Sequence, residues 1–442
     1  MDKQLSSFAF KSNLRRYKLD DCEDESIYPA ARFVSEFGFQ SHPSVPTYRS
    51  QLPFAAPGGA GGAGAAGGAG GEEAHLVNGS EFLAFRQRHP DGDAQMTRQL
   101  RRRFAVPPDT PFPTYAYLTQ VQQARCYDTA IRKWRRGAGG AGAARGTMGV
   151  LYWQLNDVWA GPTWSSMDGP GGWRRKLLHH AVRRAYAPLA LSVKRVEAGA
   201  GGCADGGGSC GATAAAAAAA ELIEVWSTCE CGSGAADGGG GGGGGGGGSS
   251  AAGGSGTMTI DAVQWSTGAV LHSTAVAPFV SHRFDSVMVW RGAAAELLTA
   301  KCAPGECFLV MSATLVFTAP PGSAASAAPL HSCSAEAEYF PGGFGTGGAR
   351  LPPAAVTVTH FALESPTVAR VVLEASHPAA FVRPEVPAEG SWSDSGFLLR
   401  PGRPASLTFT AAAPIASVGG GDDFLASLTV TSLVDALSGR AV

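Results

Sequence analysis

The first 188 residues combine short apolar runs with segments of helical periodicity. The apolar runs are 31–35 and 148–153, and the second is continuous enough to predict a strand buried on both faces. Helices are predicted to begin at Ser80 and at Asp93, the latter with Met96, Leu100 and Phe104 on one face, and to cover 115–136 and 173–186. Strands that alternate with helices predict α/β structure with parallel strands, about two units of it.

Beyond Pro188 the chain changes to short segments rich in Val, Thr, Ile, Phe and Trp, separated by turns of Gly, Pro and Ser. Helical periodicity is largely missing from this part. Such a pattern predicts two antiparallel β-sandwiches, which we expect to meet near residues 345–352. The strands are predicted at 221–228, 257–265, 286–290, 308–318, 355–363, 367–376, 397–400, 406–410 and 427–434.

Tracts rich in Gly and Ala interrupt the chain at about residues 55–72, 199–220 and 232–256. These tracts cannot bury enough apolar surface to offset the entropy lost on ordering them, so we expect surface insertions. The predicted domains are therefore 1–188 with the first insertion, 189–345 with the other two, and 350–442.

Charge and composition argue against several classes of partner. The 442 residues carry 35 basic and 36 acidic side chains without a long run of either sign, whereas a nucleic-acid or anionic-membrane partner requires a clustered basic face. No stretch of about 18 consecutive apolar residues lies outside the Gly/Ala tracts, so no membrane span is predicted. The histidines show no ligand spacing beyond the adjacent His179 and His180, which we interpret as a feature of the helix.

The nine cysteines include no CxxC pair, so neither a zinc knuckle nor a thioredoxin-type motif is predicted. Cys302 and Cys307 could close a small loop before an apolar strand. Buried free thiols are the preferred interpretation, because unpaired cysteines are commonly found in protein cores.

Two segments place polar side chains at the ends of predicted strands. The first has Glu36 directly after the apolar run, followed by Phe37 and Gly38. The second ends in Trp153-Gln154-Leu155-Asn156-Asp157 and is flanked by Trp159, Trp164 and Trp173. Parallel barrels place catalytic groups at this end of their strands. Aromatic rings beside a carboxylate also suit a sugar, whose C–H faces pack on rings while its hydroxyl groups bind polar side chains.

Simpler interpretations exist for each segment. A glutamate after a strand is often a solvated turn residue, and a strand rich in tryptophan is often part of a core. Asn156 and Asp157 could form only a turn or a helix cap. Position alone therefore does not establish a sugar site.

The motifs themselves resemble the β-mannosidases of glycoside hydrolase family 2. The first is Ser35-Glu36-Phe37-Gly38-Phe39-Gln40-Ser41, and the second is Tyr152-Trp153-Gln154-Leu155-Asn156-Asp157-Val158-Trp159. The similarity continues through Trp164-Ser165-Ser166 and the helix around His179 to Pro188. A weaker similarity to the terminal Ig-like domain of the family covers Trp392–Phe397 and Leu428–Leu433.

The resemblance implies a fold and a chemistry. The fold would be the last strands and helices of a (β/α)8 TIM barrel, followed by two Ig-like antiparallel β-sandwich domains. Glu36 would be the nucleophile in the retaining hydrolysis of terminal, non-reducing β-D-mannose, and Trp153 would lie beneath the sugar ring. Asn156, Asp157 and Trp159 would order the pocket or bind the substrate, a β-mannoside glycan or oligosaccharide. The family uses no metal or cofactor, and its members are lysosomal, vacuolar or secreted.

One expected group has no counterpart in this sequence. The acid/base of the family is a glutamate directly after an asparagine, well upstream of the nucleophile, whereas only 35 residues precede Glu36. The three asparagines Asn13, Asn78 and Asn156 are followed by Leu, Gly and Asp. His42 also departs from the aromatic residue that is common in the family. We therefore expect a fragment of the family's protein with little or no mannosidase activity by itself.

Two alternatives remain open at this point. The chain could be related to another family 2 glycosidase, such as a β-galactosidase, a β-glucuronidase or an exo-glucosaminidase. It could instead be a non-catalytic carbohydrate-binding or structural remnant, an interpretation that the missing acid/base supports.

Overall fold

The computed structural model describes residues 21–52, 74–138, 146–168, 173–196, 221–231, 253–298, 302–303, 305–318, 329–418 and 420–439. The predicted insertions at 55–72 and 199–220 lie outside these residues, as does most of the one at 232–256. That third insertion ends earlier than predicted, because Gly254 already begins a strand of 11 residues.

The strands that carry the two motifs are short and lie side by side. Strands β1 (Phe33–Val34) and β2 (Gly149–Val150) pair in parallel, so the predicted parallel pairing is confirmed. The prediction that 148–153 is buried on both faces is wrong, since Met148 and Leu151 are 74% and 54% exposed. In the described part of the chain β2 has only β1 beside it, which leaves those side chains uncovered. One strand pair does not establish a barrel, and the TIM-barrel part of the predicted fold remains a prediction.

Helices pack around this strand pair. They are α1 (Val45–Arg49), α2 (Glu81–Arg86), α3 (Gly92–Arg103), α4 (Phe112–Arg136) and α5 (Leu177–Ala185), after a 3-10 turn at Glu25–Ile27. The start of α2 is confirmed, and Ser80 caps it with its side-chain oxygen. Helix α3 begins after Asp91 rather than Asp93, while the predicted apolar face is confirmed by the buried Met96 and Leu100.

Helix α4 forms the centre of the N-terminal part. It begins three residues earlier than predicted, because Pro113 lies in the first turn, where no backbone N–H donor is needed. Tyr127, Ile131 and Trp134 of this helix are fully buried in one core with Val34 of β1 and residues of α5. Helix α5 is shorter than predicted, because residues 174–175 instead pair with 167–168 as the two-stranded hairpin β3–β4 (Met167–Asp168, Arg174–Arg175).

The first β-sandwich joins a three-stranded sheet of order β5–β6–β9 to a four-stranded sheet of order β11–β10–β7–β8. Its strands are β5 (Leu189–Val196), β6 (Leu222–Cys229), β7 (Gly254–Gln264), β8 (Val270–Ser281), β9 (Asp285–Ala293), β10 (Cys307–Thr318) and β11 (Pro329–Tyr339), with α6 (Ala294–Leu298) after β9. Both sheets contribute to one core that includes Leu191, Ile260 and Leu309. The sequence did not predict β8, because most of its side chains are exposed and it lacks a regular apolar alternation.

The second β-sandwich has sheets of order β12–β13–β17–β15 and β16–β14–β18. Its elements are β12 (Val356–Ser365), β13 (Val368–Ala375), β14 (Ala379–Glu385), β15 (Gly390–Trp392), β16 (Phe397–Leu399), β17 (Ala405–Ala411), α7 (Gly421–Ser427), β18 (Thr429–Thr431) and α8 (Leu433–Leu437). The strand predicted at 427–434 shortens to β18, because Ser432 and Asp435 form a capping box that starts α8.

Three disulfides correct the expectation of buried free thiols. They join Cys22 to Cys126, Cys231 to Cys333, and Cys302 to Cys307. Among the cysteines of the described residues, Cys229 keeps a free, buried thiol. The last pair closes the small loop before β10 that the sequence left as the alternative. The two long-range pairs were not predictable from spacing, because they connect cysteines 104 and 102 residues apart.

The second sandwich packs directly on helices α4 and α5 of the N-terminal part. The Tyr117 hydroxyl of α4 donates a hydrogen bond to the Phe381 carbonyl at 2.7 Å. Asp394 forms ion pairs with Arg184 (2.7 Å) and Arg183 (3.0 Å) of α5. Among the helices of the described residues, none is both long and apolar enough to cross a membrane.

Candidate functional site

Glu36 lies just beyond the end of β1, where the hydrogen bonding between the two strand segments continues. The Leu151 backbone N–H donates to the Val34 carbonyl at 2.8 Å, and the Trp153 N–H donates to the Phe37 carbonyl at 2.9 Å. These bonds hold the chain around Glu36 beside Trp153. Val34 is buried, whereas the Glu36 side chain is exposed. The strand pair thus presents a carboxylate and an indole ring at the same end.

Glu36 and Trp153 line one cavity of about 300 Å³. Rings of Phe37, Phe39, His89 and Trp164 also line it, and helices α3 and α4 add amide and apolar side chains. The amide side chains from these helices are those of Gln95, Gln99, Gln122 and Gln123, and Gln40 of the first motif adds a fifth. A volume of this size lies at the lower end of small-molecule sites, which span roughly 300 to 1,000 Å³. Rings and neutral amides around one carboxylate suit an uncharged, polyhydroxylated ligand such as a sugar.

Tyr127 of α4 fixes the backbone of both motifs. Its hydroxyl oxygen lies 2.7 Å from the Trp153 carbonyl oxygen and 3.1 Å from the Trp164 carbonyl oxygen, and it accepts a hydrogen bond from the Phe39 N–H at 3.2 Å. Burial raises the pKa of Tyr127 well above its usual value, so the hydroxyl keeps its proton as a donor. One buried hydroxyl thereby ties the Glu36 loop to the Trp153 segment.

Gly38 occupies a position where a side chain would collide with this arrangement. A Cβ atom built on Gly38 would lie 2.4 Å from the Trp153 carbonyl oxygen and 2.6 Å from the Tyr127 hydroxyl oxygen. We predict that Gly38→Ala lowers the free energy of unfolding by about 1–3 kcal/mol, as overpacked sites do. The variant should also widen the gap between the two motifs, which ligand titration followed by indole fluorescence would detect.

Gly345 offers a matched control for this substitution. A Cβ built there meets its nearest atom, the Arg103 carbonyl oxygen, at 3.7 Å, an ordinary contact. Gly345→Ala should therefore leave both the unfolding free energy and ligand titration close to those of the wild type. Equal effects of the two substitutions would contradict the close-approach argument for Gly38.

Asp157 lies away from the cavity, in a buried polar network. Its carboxylate accepts hydrogen bonds from Thr163 (2.6 Å) and Ser165 (2.7 Å) and lies 3.8 Å from the Lys176 ammonium. Burial raises the pKa of Asp157, and Lys176 opposes that shift. Asp168, also buried, accepts hydrogen bonds from the Ser44 N–H and the Thr47 hydroxyl at 2.7 Å each. The network thus holds together the segments around Ser44, Asp157 and Asp168, which lie outside the cavity lining.

The other two predicted binding residues also lie outside the cavity lining. Asn156 is exposed, and its side-chain amide donates to the Asp157 carbonyl at 3.1 Å. Trp159 packs against α2, with the Arg86 guanidinium 4.9 Å from its ring centre. Of the five predicted site residues, the structure brings Glu36 and Trp153 together. The roles of Asn156, Asp157 and Trp159 remain predictions.

The contribution of helix α4 to the cavity was not predicted from the sequence. Thr119, Gln122, Gln123 and Cys126 all line the cavity and recur at intervals of three or four residues. That spacing places them on one face of the helix. A stripe of uncharged polar side chains on one face of the helix is therefore the signal that could have identified them. In the described part of the chain, no group of His, Cys, Asp or Glu is arranged to hold a metal ion.

Comparison with known proteins gives three consistent matches. Residues 351–436 match the Ig-fold domain of mannosidases. A β-mannosidase of Mus musculus is 39% identical over 175 residues, which are 38% of this chain and 18% of that protein. The β-mannosidase A of Emericella nidulans is 35% identical over 173 residues, 38% of this chain and 17% of that protein. The matched segment thus spans less than a fifth of the length of these relatives.

A solved structure extends the comparison to nearly the whole chain. The β-D-mannosidase of Dictyoglomus thermophilum superposes on 94% of this chain and 39% of its own, with a TM-score of 0.58 and 17% sequence identity. At this identity the likeness concerns the fold alone. These observations define a multidomain chain with an Ig-fold domain at residues 351–436. In sequence the chain is similar to β-mannosidases, which confirms the resemblance to those of glycoside hydrolase family 2 predicted from the motifs.

Proposed function

We propose that this chain carries the nucleophile of a retaining β-mannosidase, and that Glu36 is that nucleophile. The observation that supports the proposal most directly is the shared cavity of Glu36 and Trp153 at one end of a parallel strand pair. The identity of 35–39% to two β-mannosidases agrees with it. The substrate class is a glycoside with terminal, non-reducing β-D-mannose.

The chemistry assigned to Glu36 has two steps. In the first, a carboxylate oxygen forms a bond to the anomeric carbon while the bond to the leaving oxygen breaks, and the leaving group takes that electron pair. In the second, water attacks the same carbon and gives up one proton to a base or to solvent, Glu36 departs as the carboxylate, and mannose is released with its configuration retained. Trp153 would pack under the sugar ring in both steps.

A second carboxyl group, roughly 5–5.5 Å from the first, normally protonates the leaving oxygen. Among the described residues that line the cavity, Glu36 is the one acidic side chain. We therefore expect this polypeptide to hydrolyse nitrophenyl β-D-mannoside far more slowly than a complete retaining enzyme, because removing one catalytic partner costs several orders of magnitude in rate. Family-typical release of nitrophenol would contradict that expectation.

A leaving group that departs without a proton tests Glu36 independently of the acid. We propose incubating the protein with dinitrophenyl 2-deoxy-2-fluoro-β-D-mannoside and searching for a covalent fluoromannosyl adduct by peptide mass spectrometry. The adduct is expected on Glu36, because the activated phenolate needs no general acid. Glu36→Gln should reduce labelling by about three orders of magnitude or more. The exposed Glu81 provides the control, and Glu81→Gln should label as the wild type does.

The labelling experiment, combined with a titration with methyl β-D-mannoside, distinguishes a catalytic site from a carbohydrate-binding module. The single acidic side chain in the described cavity lining favours the module as a second candidate. A protein that binds methyl β-D-mannoside but forms no adduct would support the module and overturn the nucleophile. An adduct on a residue other than Glu36 would keep the enzyme and overturn the assignment.

The finer parts of the fold belong to this proposal as well. Residues 1–188 are proposed as the end of a TIM barrel, 189–345 as an Ig-like sandwich, and 350–442 as the terminal Ig-like domain. The sheet order of each sandwich and the match of 351–436 to an Ig-fold domain support this division.

A further inference from the structure

An acidic segment before β1 crosses the helices that form one wall of the cavity. We define the strap as residues 21–28. Arg103 of α3 pairs with Asp21, and Arg125 and Arg136 of α4 pair with Glu23 and Glu25 of the strap. The Tyr28 hydroxyl donates to the Cys22 carbonyl at 2.6 Å, which folds the strap back on itself. The disulfide from Cys22 to Cys126 then joins the strap covalently to α4.

Three residues of the cavity lining bond directly to this strap. Cys126 is the disulfide partner, and its side chain is buried. Gln122 donates its side-chain N–H groups to a Glu23 carboxylate oxygen at 3.3 Å and to the Cys22 sulfur at 3.2 Å. The Gln99 side-chain carbonyl accepts a hydrogen bond from the Cys22 backbone N–H at 3.4 Å. All three lining residues belong to the same cavity as Glu36 and Trp153.

The contacts with the strap also fix the orientation of one amide. A carboxylate accepts hydrogen bonds and donates none, so the Gln122 side chain must turn its nitrogen toward Glu23. Gln122 is 4% exposed, which leaves it little freedom to adopt another rotamer. Burial by itself would raise the pKa of Glu23. Its ion pairs with Arg125 and Arg103 outweigh that effect and hold the pKa at about 2, so the carboxylate stays charged.

We propose that the strap is a positioning element for the cavity, and that the Cys22–Cys126 disulfide makes ligand affinity dependent on oxidation. The disulfide holds the strap against α4. The strap in turn fixes the side chains of Gln99 and Gln122, which form part of the cavity wall beside the bound ligand. A dithiol reductant breaks the S–S bond, is itself oxidised to a disulfide, and leaves Cys22 and Cys126 as thiols, which releases one end of the strap and loosens that wall. Linkage makes this coupling reciprocal. If reduction raises the dissociation constant of the ligand by some factor, bound ligand must lower the equilibrium constant for reduction of the disulfide by the same factor. The choice of a β-D-mannoside as the ligand rests on the proposed function. The coupling between the disulfide and the order of the cavity wall does not.

The chain contains a closely matched control for the loss of this disulfide. Cys22 and Cys126 are 104 residues apart in sequence, and Cys231 and Cys333 of the first sandwich are 102 apart. In the chain-entropy account, disulfides that close loops of such similar length stabilise the protein to a similar extent. Neither Cys231 nor Cys333 lines the cavity. Cys22→Ser and Cys333→Ser should therefore lose similar stability while differing in their effect on the cavity.

The test compares wild type, Cys22→Ser and Cys333→Ser by titration with methyl β-D-mannoside. We expect Cys22→Ser to raise the dissociation constant about tenfold, within the usual range of coupling between sites, and Cys333→Ser to leave it within about twofold. Glu23→Gln keeps the Cys22–Cys126 and Cys231–Cys333 disulfides and should also raise the dissociation constant. This variant tests the proposal if Cys22→Ser fails to fold. Equal dissociation constants for wild type, Cys22→Ser and Glu23→Gln would overturn the proposal.

Amide hydrogen exchange separates this proposal from the assignment of the sugar. Exchange of the backbone amides of 119–126 should be faster in Cys22→Ser than in Cys333→Ser, whether or not any ligand is present. If no variant binds methyl β-D-mannoside but this difference is found, the proposed sugar fails and the strap is supported. Identical exchange in the two variants would overturn the strap as a positioning element.

Discussion

Replacing Lys176 by methionine is expected to lower the free energy of unfolding by about 3–5 kcal/mol, the cost of leaving a buried charge without its partner. The Lys176 ammonium lies 3.8 Å from the Asp157 carboxylate, and both side chains are fully inaccessible to solvent. Burial lowers the pKa of Lys176, and Asp157 and Asp168 counteract that shift. Urea unfolding of the wild type and Lys176→Met measures the difference.

A second lysine provides the control for this prediction. Lys194 pairs with Glu224 at 3.1 Å, but its side chain is 40% exposed. Exposed pairs contribute about 0–1 kcal/mol, so Lys194→Met should change stability little. The double variant Lys176→Met/Asp157→Asn should regain part of the loss, because it removes both charges. A loss below about 1 kcal/mol for Lys176→Met alone would show that the pair carries no charge in the folded protein.

This prediction also bears on the site. Asp157 follows the tryptophan motif in sequence, yet its oxygens are already bound by Thr163, Ser165 and Lys176. If Asp157 stabilises the loops around it and does not bind a sugar hydroxyl, Asp157→Asn should reduce the free energy of unfolding more than it reduces the free energy of ligand binding. A substrate-binding carboxylate would give the reverse ranking.

Stability is expected to fall by about 4 kcal/mol between pH 7 and pH 5 through two buried histidines, about 2 kcal/mol from each. Burial, reinforced by Lys176, lowers the pKa of His42 to about 3. Burial, reinforced by Arg184, lowers the pKa of His180 to about 2. The unfolded chain titrates near the ordinary value of 6.5, so below that pH it binds protons that the folded protein cannot take up. Their contribution is complete above pH 6.5 and is lost as the pH falls.

His180 is the better position at which to check this effect. Within the described residues neither ring nitrogen makes a hydrogen bond, and Nδ1 lies 3.5 Å from an Asp394 carboxylate oxygen, so His180→Leu removes the titrating group without breaking a hydrogen bond. Chemical unfolding at pH 7 and pH 5 should show a smaller pH-dependent loss in this variant, by about 2 kcal/mol. The exposed His272 on β8 is the control, and His272→Leu should keep the wild-type dependence. Burial raises the pKa of Asp157, which acts in the opposite direction.

The sequence predicted elements well where local periodicity was strong. The buried face of α3, with Met96 and Leu100, followed from apolar residues spaced by four. Strands β10 and β13 were predicted because their apolar residues alternate or run together between turns. By contrast several strands were not predicted, among them β5, β8, β11, β14 and β15, and the predicted burial of 148–153 was wrong. A continuous apolar run shows that side chains prefer to be covered, but not that a neighbouring element covers them.

The candidate site divides along the same line. The identity of Glu36 and Trp153 as a pair, and their resemblance to a glycosidase, came from the motifs alone, since each motif is contiguous in the chain. The partner of Asp157, the support given by Tyr127 and the disulfide that anchors the strap were decided by the tertiary structure. The hydroxyl of Tyr127 contacts residues 26 to 88 positions away, and Cys22 and Cys126 are 104 apart. Even Asp157 and the nearer Lys176 lie in different elements, and no local pattern records which side chains the packing will bring within bonding distance.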